Sequence, residues 1–401
     1  MVIRATRHVA RQYFAKRSRA ALHRMLAGPL VACLVGLAPL TGSAQTPAPP
    51  DQAADPDSPS IHLGATLFTN YAYQVDPQIT DADNNLVHRS AFDVTRTYIN
   101  INGTISRIIG FRLTPDIARE TNLASSLSGS LELRIKYAYL QANLDDWTTK
   151  GSWARFGMHQ TPYIDFVENI YRYRFQGTTF LERTGYASSS DAGVSFHYNL
   201  PNNAGDVHGG LYNGENYNHP ETNDQKAIMV RATGRPFVTP GAALYGLRLS
   251  VFYSGDNYLR HGERKRTVLL ASYEHPHLVA GFEYADTHDR SSALPGSVSV
   301  HGQGYSAWVT PRSGHGWEGL FRYDHMTPNT SSLPASTAST GDAITVLRDQ
   351  EQNRLIVGGA YWFPHHGTVS AALLVDEDWQ VFHHLTSVPT RTVAVHALIN
   401  F

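Results

Sequence analysis

The chain has 401 residues, of which 42% are hydrophobic and 11% aromatic, and its 33 Lys and Arg nearly balance its 34 Asp and Glu. Seven of the basic residues and no acidic residue lie in residues 1–44. The other 357 residues therefore carry 26 basic and 34 acidic side chains, a net charge of −8. An acidic chain lacks the basic surface on which nucleic-acid binding depends, so nucleic acid is not favoured as a partner.

Residues 1–44 have the three parts of a secretory signal peptide. A basic region comes first, an apolar run from Leu26 to Leu40 follows, and small residues at Gly42 and Ala44 fit cleavage after Ala44. The apolar run contains two prolines and is too short to span a bilayer as a helix. Cys33, the single cysteine, would leave with this signal, so the exported chain is expected to depend on burial and hydrogen bonding rather than on a disulfide.

Residues 45–60 are rich in Pro, Asp and Ala and are predicted to form a disordered periplasmic leader. In residues 61–401, short segments alternate apolar and polar side chains and are separated by clusters of Gly, Pro, Asn and Asp. We count sixteen such segments, with a margin of about two. They are 61–73, 91–105, 108–115, 131–144, 153–160, 191–200, 205–212, 226–236, 244–255, 266–275, 278–287, 304–312, 317–325, 353–364, 368–378 and 391–401.

The connections between these segments alternate between short and long. Tight turns are predicted at 106–107, 274–278, 311–316 and 364–367, and long loops at 74–90, 116–130, 288–302 and 326–352. Short periplasmic turns opposite long extracellular loops, with an even number of strands, are typical of outer-membrane barrels. A soluble β-sandwich, the alternative, has no such asymmetry. The predicted fold of residues 61–401 is therefore all-β, a 16-stranded antiparallel transmembrane barrel with an inward-folded constriction loop.

The last segment has one apolar face and one mixed face. The apolar face consists of Val393, Val395, Ala397, Ile399 and Phe401. This stretch resembles the closing strand of bacterial outer-membrane barrels. The resemblance implies that Phe401 belongs to an assembly signal for the barrel-assembly machinery and that the apolar face contacts outer-membrane lipid. A terminal edge strand of a soluble β-sandwich would show the same alternation.

Several positions that alternate with lipid-facing residues are basic, and such positions face the water-filled lumen of a barrel. The predicted pore-lining residues are Arg112, Arg134, Lys136, Arg155, Arg231, Arg248 and Arg322. In segment 131–144, the residues assigned to the lipid face are Leu131, Leu133, Ile135, Tyr137 and Tyr139. Fixed basic groups attract anions and repel cations. A lumen with charges of both signs stays open as the alternative, because acidic residues occupy comparable positions at Glu132, Glu283, Glu318 and Asp324.

The interval from 160 to 185 is the most aromatic and most charged connection in the chain. Because such a loop would be unusually apolar at the surface, we expect it to fold into the barrel. Its apolar side chains would then pack on the wall through Ile164, Phe166, Ile170 and Phe175. The predicted constriction residues are Asp165, Glu168, Arg172, Arg174, Glu182 and Arg183. Opposed acidic and basic groups at a constriction sort solutes by charge.

Short motifs around this interval resemble the phosphate-selective porin O/P family. They are Gly157-Met-His-Gln160 leading into Thr161-Pro162, the pair Glu182-Arg183, Asp191-Ala-Gly-Val194 and Tyr212-Asn213-Gly214. In layout the resemblance covers residues 61–401, and its motifs lie within 153–214. It implies a sixteen-stranded trimeric channel with an inward-folded loop and a basic lumen. The chain departs from the family in being comparatively poor in lysine.

The sequence predicts no metal site, no cofactor and no catalysis. The histidine pairs at 275 and 277, 365 and 366, and 383 and 384 fall at predicted turns and strand ends, without Cys or acidic ligands at zinc-site spacing. There is no nucleophile elbow, phosphate loop or dinucleotide fingerprint. The predicted function is a porin of the bacterial outer membrane for small hydrophilic solutes, with anion or phosphate preference as the finer prediction. The alternatives are a barrel enzyme of the phospholipase or protease type and a transporter with a plugged lumen.

Overall fold

The computed structural model of the chain describes residues 58–120, 122, 124–259, 262–290, 299–330, 351–364, 369–383 and 388–401. Sixteen antiparallel strands close into a barrel, as predicted. They are β1 (Ser60–Asp76), β4 (Ser90–Thr104), β5 (Ile109–Arg119), β6 (Leu131–Asn143), β7 (Trp153–Gln160), β8 (Ser190–Asn199), β9 (Gly205–Tyr212), β10 (Ala227–Gly234), β11 (Leu247–Leu259), β12 (Gly262–His275), β13 (Leu278–Arg290), β14 (Ser299–Pro311), β15 (Trp317–Thr327), β16 (Gln352–Trp362), β17 (Ser370–Phe382) and β18 (Thr390–Asn400). Two further short strands, β2 (Ile79–Thr80) and β3 (Leu86–Val87), form a hairpin in the first long loop. The predicted signal peptide and most of the predicted leader lie outside the described residues.

The barrel closes between its first and last strands. β1 pairs antiparallel with β18, and the backbones of Ala65 and Phe401 exchange two hydrogen bonds of 2.9 and 3.0 Å. The predicted apolar row of β18 faces outward, with Val395 41% and Ile399 50% exposed, whereas the alternate residue Leu398 is buried. Pairing of β1 with β18 leaves neither strand with an unpaired edge, which a terminal edge strand of a sandwich would have.

The predicted turns 106–107, 274–278 and 311–316 lie at one end of the barrel, and the predicted loops 74–90, 116–130 and 288–302 lie at the other. The connection 235–246 is long although it lies at the end of the turns, and most of the predicted turn 364–367 and loop 326–352 lies outside the described residues. β13 and β14 nevertheless extend into the predicted long loop 288–302, because β13 reaches Arg290 and β14 begins at Ser299. These strand ends carry mostly polar residues on both faces, so they lack the apolar alternation on which the sequence prediction depends. Among the described residues, no helix has the length and apolar character needed to cross a bilayer.

A β-bulge in β6 changes which of its residues face the lumen. The register of β5 against β6 shifts beside Pro115, and Lys136 is the extra residue on β6. Lys136 and Tyr137 therefore both point inward, and Tyr139 follows on the inner face. Tyr137 is 6% exposed and Tyr139 is 9% exposed, so the prediction that these two tyrosines face lipid is wrong. Alternation could not reveal the bulge, because tyrosine suits both an aromatic lipid-facing row and a hydrogen-bonded inner wall.

Candidate pore constriction

The segment between β7 and β8, residues 161–189, folds into the barrel, and we call it the constriction loop. It contains the helices α1 (Ile164–Tyr171) and α2 (Phe180–Arg183). Its buried apolar side chains are Tyr163, Ile164, Val167, Ile170, Tyr171, Tyr173, Phe175, Phe180 and Leu181. They pack on inward-facing strand residues such as Phe68 and Trp308. Because burial of a large apolar side chain contributes about 1.5–3 kcal/mol, this packing holds the loop inside the barrel.

Polar contacts from the wall fix the loop further. The hydroxyl of Tyr163, at the start of α1, donates to the buried carboxylate of Glu283. Arg231 donates through Nε to the carbonyl of Pro162 at 2.8 Å. Arg322 donates to the carbonyl of Thr178 at 3.1 Å. Arg231 and Arg322 do point into the barrel, but each is only 3% exposed beneath the loop, so their contacts position the loop.

The charged residues of the constriction loop form short ion pairs. Arg174 contacts Glu168 at 2.6 Å and Glu182 at 3.6 Å, so these three predicted constriction residues lie together. Arg172 contacts the wall residue Glu318 at 2.6 Å, with its guanidinium 4.2 Å from the ring centre of Trp362. Arg183 reaches the wall at another point, 3.7 Å from Asp378 of β17. The ion pairs of Arg172 and Arg183 therefore hold these two arginines against the wall, whereas Arg174 is paired within the loop.

Burial changes the acidity of the loop carboxylate Glu168. Loss of water around this side chain raises its pKa above the ordinary value, and the positive charges of Arg174 and Lys136 oppose the rise. Glu182 and Asp165, which lie nearby on the same loop, add to the rise. Glu168 therefore takes up a proton at a higher pH than an ordinary glutamate does, and the constriction loses one negative charge when that happens.

The wall formed by β5, β6 and β7 carries two arginines whose partners are neutral. Arg112 donates to Thr114 at 2.9 Å and to Asn100 at 3.0 Å. Arg155 donates to Gln141 and to Gln160, both at 2.9 Å. The guanidinium of Arg155 also lies 3.7 Å from the ring centre of Trp153, and that of Arg112 lies 4.5 Å from Tyr137. Neutral acceptors orient these two side chains without themselves cancelling the positive charge.

An acidic residue of the loop and a lysine of the wall belong to the same constriction. Asp165, near the start of α1, lies close enough to Arg155 to interact with it electrostatically. Lys136 donates to the hydroxyl of Tyr98 at 3.2 Å, with its ammonium group 4.7 Å from the same ring, and it also attracts Glu168. The loop therefore presents carboxylates towards a wall that carries three basic residues.

Three carboxylates on the inner wall are each shared between two arginines. Asp116 lies 2.6 Å from Arg96 and 3.1 Å from Arg134. Glu318 lies 2.6 Å from Arg172 and 3.2 Å from Arg312. Asp378 lies 3.5 Å from Arg354 and 3.7 Å from Arg183. Each group carries one positive charge more than negative. Three other predicted pore residues are paired one to one: Arg231 with Asp206, Arg248 with Glu274 at 2.6 Å and Arg322 with Asp324 at 2.7 Å.

A second connection also enters the lumen, and sequence reasoning missed it. In the loop between β9 and β10, the hydroxyl of Tyr217 lies 3.4 Å from Asp116 on β5, and its ring centre lies 5.0 Å from the guanidinium of Arg134. The loop thus reaches strands that are not its neighbours in the barrel. A tyrosine within a polar loop has no periodic signal, so nothing in the pattern of this segment indicates a contact across the lumen.

A serine and a histidine on the inner wall have the spacing of a nucleophile and a base. The Oγ atom of Ser195 lies 2.7 Å from Nε2 of His159, whose Nδ1 lies 2.8 Å from the carbonyl oxygen of Gly157. Both side chains are completely buried, at 0% exposure, so a substrate has no access to the hydroxyl. The pair therefore lends no support to the enzyme alternative.

The predicted histidine pairs do not form a metal centre in the described residues. His275 and His277 lie at the turn between β12 and β13, where Nδ1 of His275 accepts the backbone N–H of His277 at 3.2 Å. His365, His366 and His384 lie outside the described residues. Within the described part of the chain, no three His, Cys, Asp or Glu side chains are grouped so that they could hold a metal ion.

Comparison with known proteins gives matches among solved structures. Neither a family model nor a curated protein matches the sequence. OmpT, an outer membrane protein of Vibrio cholerae, superposes with a TM-score of 0.56 at 12% identity over 86% of this chain and 98% of its own. An anion-selective porin from Comamonas acidovorans gives 0.56 at 11% identity, over 86% and 100% of the two chains. The outer membrane channel DcaP of Acinetobacter baumannii gives 0.54 at 10% identity, over 86% and 97%.

The chain has a porin-like fold. At these identities the likeness extends to the fold alone, and membership of the phosphate-selective porin O/P family stays a prediction. The likeness agrees with the closed sixteen-stranded barrel.

Proposed function

We propose that this protein is a channel of the bacterial outer membrane through which small hydrophilic solutes diffuse passively, with a preference for anions. Sixteen strands enclose a space wider than their own side chains fill, as in porins, which keep an aqueous channel. The constriction loop narrows this space with charged side chains that are fixed by ion pairs. A rigid charged constriction selects solutes by size and charge without a conformational cycle.

The observation that carries the anion preference is the surplus of arginine around the constriction. Three carboxylates are each shared by two arginines, and Arg112 and Arg155 have neutral partners. Asp165 offsets one of these charges. The group of Arg174 with Glu168 and Glu182 carries one negative charge more than positive, which Lys136 balances, so the rest of the surplus stays uncancelled. The net charge of −8 expected outside residues 1–44 does not oppose this conclusion, because exposed charges beyond a Debye length of about 10 Å are screened at 0.1 M salt.

The remaining proposals concern location and assembly. We propose that the predicted signal peptide directs the chain to the outer membrane, where the outward apolar rows contact lipid and the barrel-assembly machinery reads the strand ending at Phe401. We also propose a homotrimer, which the resemblance implies and which a trimer form of Vibrio cholerae OmpT supports by analogy of fold. Phosphate is one of several anions that a guanidinium-rich constriction suits, so selectivity for phosphate over chloride is a separate property that needs its own measurement.

The reversal potential of the purified protein in a planar bilayer under a KCl gradient tests this proposal. Stable conductance with a reversal potential of the same sign as the chloride equilibrium potential would support the anion channel. The next measurement would then compare the permeability of phosphate with that of chloride. Conductance with cation preference would refute the role assigned to the surplus arginines. A correctly folded barrel with no conductance would refute the channel and make lipase and protease assays the next step.

A further inference from the structure

Two histidines face each other on neighbouring strands of the barrel. His288 on β13 and His301 on β14 are directly paired in the strand register, so their side chains project side by side from the same face of the sheet. The ring centres are 4.3 Å apart and the ring planes are inclined at 78°. Nδ1 of His288 lies 3.1 Å from Nε2 of His301 and 3.3 Å from its Nδ1.

This pair lies on the outer surface, at the end of the barrel that carries the long loops. His301 alternates along β14 with the buried Val300 and shares its face with Tyr305, which is 37% exposed. Four residues, about 13 Å of strand, separate His301 from Tyr305 towards the long loops. Outward aromatic residues form the girdle at the membrane interface. The histidine pair therefore lies beyond that girdle, at the level of water and lipid headgroups.

A carboxylate on the next strand orients one of the rings. Oε1 of Glu263, on β12, lies 3.1 Å from Nε2 of His288. A carboxylate at one ring nitrogen keeps the proton there and leaves the lone pair on the other nitrogen, which here is Nδ1 and faces His301. Glu263 also pairs with Lys265 at 2.8 Å and lies 3.8 Å from Arg290.

Among the described residues, the charges around the pair do not repel a cation overall. Lys265 and Arg290 carry two positive charges, and Glu263 and Asp286 carry two negative charges. Asp286 shares the outward face of β13 with His288, two residues away along the strand, and it accepts a hydrogen bond from Gln303 at 3.4 Å. A divalent ion at the rings thus meets two neutral nitrogen donors in a locally neutral environment.

We propose that His288 and His301 bind a divalent transition-metal ion of the Zn²⁺ class on the outer surface of the barrel. Imidazole nitrogens are suitable ligands for Zn²⁺, Cu²⁺ and Ni²⁺. Two nitrogens bound to zinc at about 2.0–2.1 Å, at an angle between about 90° and 109°, lie about 2.8–3.4 Å apart. The separation of 3.1 Å meets this condition in distance. Because Nδ1 of His288 is almost equally far from both nitrogens of His301 and the rings are nearly perpendicular, the His301 ring has to rotate to turn a lone pair towards the shared ion, and neither strand has to move. Water completes the coordination shell, and Glu263 acts as a positioning residue.

The same separation is also compatible with a hydrogen bond in which one ring N–H donates to the other ring. The two arrangements differ in whether a metal ion binds tightly and in which side chains it needs. A metal-binding pair requires both histidines, and replacement of either one removes the chelate. If the two rings are only hydrogen-bonded to each other, no Zn²⁺ binds between them. Any Zn²⁺ that other histidines of the chain bind is then unaffected by replacing these two.

The first test is a titration of the full barrel, purified without a polyhistidine tag, with Zn²⁺ in an isothermal calorimeter. We expect one high-affinity Zn²⁺ per chain, lost in the double variant His288→Ala and His301→Ala. The matched control is His275→Ala with His277→Ala, which removes two histidines from the opposite end and should leave that binding unchanged. Heat-dependent mobility on an SDS gel shows that each variant is a folded barrel.

A second test reads the ligands directly. One equivalent of Cu²⁺ should give an electron paramagnetic resonance spectrum with hyperfine structure from two nitrogens, and this structure should disappear in the double variant. Glu263→Gln should weaken Zn²⁺ binding roughly tenfold or more, and unchanged affinity in it would overturn the positioning role. The metal proposal is overturned if the wild type binds no Zn²⁺ at 0.1 mM, an operational limit of about −5.5 kcal/mol, or binds it equally well in the double variant.

Discussion

Replacement of Arg112 by glutamine is expected to lower the anion preference of the channel without disturbing its fold. Arg112 donates to Thr114 and Asn100 at 2.9 and 3.0 Å and lies over the ring of Tyr137. Because all three partners are neutral, the substitution leaves no buried carboxylate without its counter-ion. Glutamine also keeps an amide that can donate to the same oxygens. The variant therefore removes one positive charge and little else.

The size of the effect follows from Coulomb's law. A charge about 5 Å from a permeating ion contributes about 0.8 kcal/mol in water. Screening over a Debye length of about 10 Å at 0.1 M salt reduces this contribution to about 0.5 kcal/mol. The anion loses this stabilisation and the cation is relieved of the same repulsion, so their difference changes by about 1 kcal/mol. The ratio of anion to cation permeability should fall roughly fivefold.

Reversal potentials in a planar bilayer at 0.1 M mean salt measure this ratio. Arg107→Gln is the matched control, because Arg107 lies at the turn between β4 and β5, where it pairs with Asp146 outside the constriction. We expect that variant to keep the wild-type ratio, and Arg155→Gln to resemble Arg112→Gln. An unchanged ratio in both constriction variants, with normal conductance, would refute the assignment of uncancelled charge to this wall.

Three further predictions concern the constriction loop. Arg172→Glu places a second carboxylate beside Glu318 and should shift ion preference towards cations by more than Arg112→Gln, because the charge changes by two. As the pH falls from neutral towards 4.5, the ordinary value for Glu168, anion preference should rise, because burial raises its pKa and protonation removes a negative charge. Tyr163→Phe should destabilise the barrel by about 1–3 kcal/mol, since it leaves the buried Glu283 without its hydroxyl donor, and should lower the midpoint temperature of the folded band on SDS gels.

Each of these predictions has its own control. Unchanged ion preference in Arg172→Glu would place that side chain outside the permeation path. The pH-dependent part of the selectivity should vanish in Glu168→Gln, and an undiminished dependence in that variant would refute its assignment to Glu168. Tyr253 is 42% exposed on the outer surface, so Tyr253→Phe controls for the loss of a hydroxyl. Equal destabilisation by both tyrosine variants would contradict the anchoring contact of Tyr163.

The strands of this barrel are visible in the residue pattern of the sequence. Every predicted segment coincides with one strand to within five residues at either end, and the alternating short and long connections place the loops at the correct ends. The reason is that a membrane barrel needs an apolar residue at every second position of each strand, and this period of two is visible in the sequence. The inward fold of the constriction loop was predictable too, because an aromatic loop has no stable place in water.

The sequence by itself determined the strand number, the closing strand and the candidates for the inner face. Tertiary structure decided what those candidates do. Lys136 and Tyr137 both point inward because a bulge adds a residue to β6, and the alternation of side chains does not record such an insertion. Arg231 anchors the constriction loop whereas Arg112 keeps an uncancelled charge, although both alternate with apolar residues in the same way. Their difference depends on partners that are distant in the chain, and only closure of the barrel brings those partners together.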